Sequence, residues 1–266
     1  MAKKALCVGI NDYPGAGNDL KGCVNDANAW AALLVEHYGF ARSDVKILLD
    51  AQATKSAIMA GLKALLAKSK SGDILVFMLA GHGTYVPDES GDEEDYDEAM
   101  CPHDCDRNLI LDDELRELFG GMADGVSLTV IADCCHSGTI TRAAEGGGGA
   151  DDRRARFLNP TAIGRKALAD PRAAAAKRAA KPAQTGMKEV LLSGCSPTEY
   201  SYDARLGDKY HGAMTFHALK AIAAANYKIS WSDLHTRTRS LLDAARYPQH
   251  PQLEGRPANK KKPIFT

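Results

Sequence analysis

The chain has 266 residues, enough for one sizeable core built as a single α/β domain or as two small ones. Lys and Arg total 33 against 34 Asp and Glu, a net charge of −1, so no electrostatic surplus points to nucleic acid or a membrane as partner. With 45% apolar and 25% charged residues, and seven scattered cysteines in no disulfide spacing, the expected setting is a reducing cytoplasm with free thiols.

The first apolar run, residues 4–10, is short and runs into Asn11, Asp12 and Pro14, which marks a buried strand rather than a signal peptide. From 20 to 38, Cys23, Ala27, Trp30, Leu33 and Leu34 recur at helical spacing, and Gly39 ends the helix. Residues 44–50 read as a strand, and Thr54 caps a helix reaching to Ser71 and Gly72. The run 73–83 is an apolar strand ending in Gly81-His82-Gly83. An acidic loop follows, then a short helix over 112–123 and another buried strand over 126–134. No run approaches the ~18 apolar residues of a membrane span.

Residues 143–186 break this rhythm. They are rich in Ala and Gly with repeated Arg and Lys, the composition of an exposed linker or insertion. Regular patterns resume with a strand over 188–196 and helices over 212–225 and 230–245. The expected organisation is a large part (1–142), a basic linker (143–186) and a small part (187–266) sharing one domain. Strands apolar on both faces, alternating with helices, predict an α/β fold with a mainly parallel central sheet flanked by helices.

In such a sheet the loops at the carboxyl edge converge on a crevice, and two strands here end in reactive side chains, His82 and Cys135. An imidazole that takes the proton of a thiol creates a nucleophile, and the backbone N–H groups of Gly83 and Cys135 are placed to hold an oxyanion. That set suits acyl transfer. A lone strand cysteine is more often an inert core residue. Here Asp133, Cys134, Cys135, His136, Ser137 and Gly138 together, with a separate Gly-His-Gly, favour function. A zinc-dependent hydrolase is the competing chemistry, since Cys101, His103 and Cys105 with Cys134, Cys135 and His136 supply enough ligands, although their spacing is not that of a Cys-x₂-Cys chelate.

"LAGHGT" and "DCCHSGT", separated by about 50 residues, resemble the clan CD cysteine peptidases. "KGCVNDA", "DEEDYDEAMCP", "DDEL", "LLSGCS" and "HPQLEG" narrow the resemblance to metacaspases, including their bacterial relatives. It implies a caspase-hemoglobinase-like fold, a His82/Cys135 dyad acting through a thioester, and cleavage after Arg or Lys in protein or peptide substrates. The resemblance also implies a primary pocket lined by Cys23, Asp26 and Asp133, whose carboxylates would hold a guanidinium and reject an acid. Ala80 stands where many members carry Ser, which removes one polar wall and leaves the Arg/Lys ranking open.

The acids of residues 88–98 do not fit an EF-hand. The resemblance nonetheless maps Asp97, Asp112 and Asp113 onto acids that bind an activating Ca²⁺, while a further expected acid falls at Arg142. The basic segment presents Arg153, Arg154, Arg156, Arg165, Lys166, Arg172, Lys177, Arg178 and Lys181 as cleavage points for the enzyme itself or an upstream activating protease, or it is a mere tether. A caspase-like binding or scaffold module without turnover is the other reading. The resemblance favours a monomer.

Overall fold

The computed structural model describes residues 1–87, 96–135, 152–163 and 187–266. Strand β1 (Lys3–Gly9) leads through a loop to helix α1 (Cys23–Tyr38). Asn11 Oδ1 accepts the N–H groups of Cys23 (2.8 Å) and Val24 (3.3 Å), two of the donors that open the helix, and Gly39 closes it in a left-handed conformation (φ 71°). Next come β2 (Val45–Leu49) and α2 (Lys55–Leu66). Thr54 caps α2 as expected, but the helix stops at Leu66, short of Ser71, with Lys68 just beyond it at a positive φ of 60°.

Strand β3 (Ile74–Ala80) is buried along its whole length. The single strand expected over 73–83 is in fact two: Gly81 and His82 leave the sheet, and β4 (Gly83–Pro87) starts a separate antiparallel sheet with β5 (Tyr96–Met100) and β6 (Ile110–Leu111). Helix α3 (Asp112–Gly120), strands β7 (Ser127–Asp133), β8 (Arg153–Ala155) and β9 (Val190–Ser193), and the hairpin β10 (Tyr202–Leu206) with β11 (Lys209–Gly212) follow. The chain ends with α4 (Ala213–Ala224), α5 (Trp231–Ala244), β12 (Gln252–Glu254) and α6 (Pro257–Lys260). Ser230 caps α5 by accepting the Asp233 N–H.

The central sheet runs β12-β9-β7-β3-β1-β2 and is parallel except for the edge strand β12. Helices α1 and α2 pack on β1 and β3, where Trp30, Leu34, Ile58 and Leu62 are fully buried. This is the mixed α/β architecture expected, a mainly parallel sheet flanked by helices. No helix among the described residues is long and apolar enough to cross a membrane.

Where it is described, the basic segment is exposed at Arg154 as expected and departs from that expectation at Arg156. Strand β8 lies antiparallel against β10, with Ala155 opposite Tyr202, Arg154 opposite Asp203 and Arg153 opposite Ala204. Arg156 is fully buried, with 0% exposure. The burial follows from its partners: a guanidinium is withdrawn from water only where carboxylates replace that water. The other basic positions expected in the linker, 165–181, lie outside the described residues.

Candidate active site

Strands β3 and β7 are parallel neighbours with Ala80 opposite Asp133, so Gly81-His82-Gly83 and Cys134-Cys135 leave the sheet side by side. Gly83 lies so near Cys135 that a Cβ at position 83 would overlap the Cys135 carbonyl oxygen. His82 Nε2 lies 2.7 Å from the Asn18 carbonyl oxygen, which can only accept. The ring proton therefore sits on Nε2, and Nδ1, buried with no hydrogen-bond partner, is left as an acceptor. Tyr13 supports the ring from below: its hydroxyl accepts the His82 N–H at 2.8 Å and the two rings are 4.7 Å apart. Burial pushes the imidazole pKa down to about 3, against the pull of the Asn18 carbonyl and with the Arg154 and Arg156 charges adding to the fall, so the neutral base is the resident form. The Cys135 sulfur is fully buried, accepting the Ser201 N–H at 2.7 Å and lying 3.4 Å from the Ser201 oxygen.

Arg156 fills the space between these groups. Its N–H donates to the Ser201 carbonyl at 2.8 Å, continuing the β8–β10 ladder. Its carbonyl oxygen accepts two N–H groups, from Gly83 at 3.0 Å and from Cys135 at 3.2 Å. Phe157 then turns away along β4, its ring between Tyr85 and Tyr200.

The Arg156 side chain enters a pocket of three buried acids. Nη2 contacts Asp26 at 2.6 Å and Asp203 at 2.9 Å, and Nη1 contacts Asp133 at 3.3 Å. Each acid is held in turn. Asp26 accepts the Gly212 N–H and meets His211, each at 2.8 Å. Asp133 accepts the Ser201 hydroxyl at 2.6 Å and the Thr215 hydroxyl at 2.7 Å. Asp203 accepts the N–H groups of Lys21 and Gly22. A side chain at Gly212 would displace the guanidinium. Burial raises the Asp26 pKa, opposed by Arg156 and His211. Cys23, at the start of α1, is fully buried near the same guanidinium, its thiol raised well above its ordinary value by burial.

The structure therefore brings His82, Gly83 and Cys135 together, and separately gathers Asp26, Asp133 and Cys23 around one arginine. Further participants were not singled out from sequence, among them Asn18, Ser201, Asp203 and Arg156 as an occupant. Asn18 acts through its backbone carbonyl, which any residue type supplies, and Ser201 combines backbone contacts to Cys135 with a hydroxyl on Asp133. Asp203 sits in a short strand with no distinguishing spacing.

The metal candidates are arranged differently. Asp97 lies on β5 and Asp112 and Asp113 open α3, where Arg116 pairs with Asp112 at 2.6 Å and also with Asp113. Among the described residues no group of three His, Cys, Asp or Glu side chains is placed to hold a metal. As arranged, these acids do not fit a divalent ion while Arg116 stands between their carboxylates. Arg142 and the acids of 88–95 lie outside the described residues. The zinc set fares similarly: Cys101 and Cys105 are buried beside each other, His103 turns toward Asp12 at 3.5 Å, and His136 is outside the described residues.

Strand-end histidine and cysteine over a mainly parallel sheet define a caspase-like α/β protein. The family model described as "Metacaspase, peptidase C14 domain" matches residues 3–143. Metacaspase-8 of Arabidopsis thaliana is 46% identical over 148 residues, covering 53% of this chain and 38% of that protein. Metacaspase-1A of Aspergillus fumigatus is 32% identical across 94% of this chain and 68% of its own length. The crystal structure of protein GSU0716 from Geobacter sulfurreducens superposes with a TM-score of 0.79 at 28% identity, covering 100% of this chain and 99% of that one. The chain belongs to the metacaspase family, and it spans well under half the length of the plant relative.

Proposed function

We propose that the protein is a cysteine endopeptidase that cleaves after Arg, and less well after Lys, and that its own Arg156–Phe157 bond is its first substrate. The observation that carries this reading is the docking of Arg156: extended backbone on β10, carbonyl oxygen on two N–H donors, side chain among three acids. In this mechanism His82 Nδ1 takes the Cys135 proton and the thiolate attacks the Arg156 carbonyl carbon. As the C–S bond forms, the oxygen becomes an oxyanion held by the Gly83 and Cys135 N–H groups. Collapse breaks the bond to the Phe157 nitrogen, which takes the proton back from His82. Water then hydrolyses the thioester, releasing the Arg156 carboxylate and restoring the thiol.

Arg is preferred because its fork reaches Asp133 through one nitrogen and Asp26 and Asp203 through the other, whereas a single ammonium is too compact to span them. An acidic side chain would meet three carboxylates. Until the segment leaves, Arg156 keeps other substrates out, so the intact chain is a zymogen opened by its own Cys135 or by another basic-specific protease. Calcium stimulation belongs to the proposal only as displacement of Arg116 from Asp112 and Asp113, with Asp97 nearby on β5.

A second reading draws on the buried sulfur, already hydrogen-bonded to Ser201, which suits a resting thiol in a binding module with Arg156 permanently docked. Mass spectrometry separates the two. Wild-type protein should yield fragments ending at Arg156 and starting at Phe157, while Cys135→Ala stays whole, and the processed protein should cut Arg but not Asp fluorogenic peptides. Wild type that stays intact, with neither peptide cut, selects the binding module.

A further inference from the structure

Three residues upstream of Arg156, a second arginine is gripped by separate chemistry. Arg153 lies opposite Ala204 in the β8–β10 ladder. Its guanidinium carbon sits 4.1 Å from the centroid of the Tyr247 ring, stacked on the π face. Its Nη1 donates to the Arg246 carbonyl oxygen at 2.9 Å. Arg246 holds a left-handed conformation (φ 58°), in the turn that carries the chain from α5 to Tyr247. Tyr247 itself is only 6% exposed, packed with Ala204, Ala213 and Leu242, so the ring is a fixed shelf. A cavity of about 260 Å³ opens beside it, lined by Arg153, Ala204, Leu206, Ala245 and Tyr247 together with Asp152 and the exposed Arg205.

We propose that the Tyr247 ring and the Arg246 carbonyl form a second basic subsite, so that the enzyme reads two cations spaced as Arg-x-x-Arg, the second preceding the cut bond. This rests on the reading of residues 153–157 as a bound substrate segment and deepens it. The subsite differs in kind from the primary pocket. It offers the face of a ring and a carbonyl acceptor, so the preference is for a flat guanidinium that stacks and donates. Lys, which cannot stack, ranks below Arg there.

The experiment uses the full-chain wild-type protein after processing and four peptides that share Arg before the scissile bond. They differ three residues upstream: Arg, citrulline, Lys or Ala. Citrulline keeps the shape and removes the charge. The expected kcat/KM for Arg exceeds that for Ala by about five- to tenfold, with citrulline near Ala, as expected for one cation–π contact and one charge-assisted hydrogen bond. In Tyr247→Leu, which keeps bulk without a π face, the Arg/Ala ratio should fall toward one. Equal rates for all four peptides overturn the subsite while leaving cleavage after Arg intact, and so does a preference that citrulline shares or that survives Tyr247→Leu. If none of the four is cut, the peptidase reading itself fails. Where Tyr247→Leu does not fold, the Arg/citrulline ratio in wild type decides alone.

Discussion

Two clusters of acids in this molecule each carry one arginine, and they are held together in opposite ways. At Asp112 and Asp113 the cation is Arg116, three and four residues along the same helix, with its side chain 44% exposed. At Asp26, Asp133 and Asp203 the cation is Arg156, which comes from a distant segment and is fully buried with all three partners. A pair within one helix whose cation reaches solvent is held more weakly than a buried set, even with Asp113 itself only 4% exposed, so it can be exchanged at lower cost. A buried set is different: removing one partner leaves uncompensated charge at a cost of about 3–5 kcal/mol. Low-cost exchange suits a place that an ion or a helix movement must reach. High-cost occupation suits a specificity pocket, because the same penalty that holds Arg156 in place rejects any side chain that cannot replace it.

The sharpest way to break this contrast is Arg156→Ala. It should lower the unfolding free energy by about 3–5 kcal/mol. It should also abolish cleavage at residue 156, and a small guanidinium ligand should raise its Tm while leaving wild type unchanged. A Tm equal to wild type without ligand would mean the three acids do not depend on the cation.

Asp203→Asn keeps an acceptor for the Lys21 and Gly22 N–H groups but removes one charge from the pocket. The expected loss is about 1–2 kcal/mol in kcat/KM for Arg peptides, with a smaller loss for Lys peptides. An unchanged Arg/Lys ratio would take Asp203 out of the recognition set.

Acid provides a third probe, through the histidines that the fold buries. His82 and His217 have pKa values lowered by burial to about 3 and about 4 from the ordinary 6.5. Between 6.5 and those values the unfolded chain binds protons that the folded chain refuses, so stability should fall as pH falls through that window. Asp26, raised by burial, takes up its proton early in the fold and offsets part of the loss. Thermal melts at pH 7 and pH 4 should show the drop, and His82→Gln, neutral throughout, should flatten it. A pH-independent Tm would show that His82 is not buried neutral.

The smallest effect is expected at Arg116, whose side chain is 44% exposed: Arg116→Ala should lower stability by less than Arg156→Ala, the cost being set by the buried Asp113 carboxylate it leaves. If calcium acts at Asp97, Asp112 and Asp113, the same variant should need less of it for activation. Activity of wild type that is indifferent to both calcium and a chelator removes the ion from the proposal.

Much of the fold was legible beforehand because its central strands are continuous apolar runs. Residues 74–80 and 127–133 could only be buried on both faces, which requires helices above and below and a parallel arrangement. The strands that build the Arg156 cradle were not legible. β8, β10 and β11 are short and polar, with arginines, acids and glycines that read equally well as loop. They become strands only by pairing with one another.

The sequence by itself determined the sheet and the placing of His82 and Cys135 just past two of its strand ends, because periodicity and residue type are properties of side chains in local order. Tertiary structure alone decided that the basic segment enters the site rather than avoiding it. Burying a guanidinium depends on three carboxylates meeting at one point, and Asp26, Asp133 and Asp203 are brought there from α1, β7 and β10 only when the chain has folded.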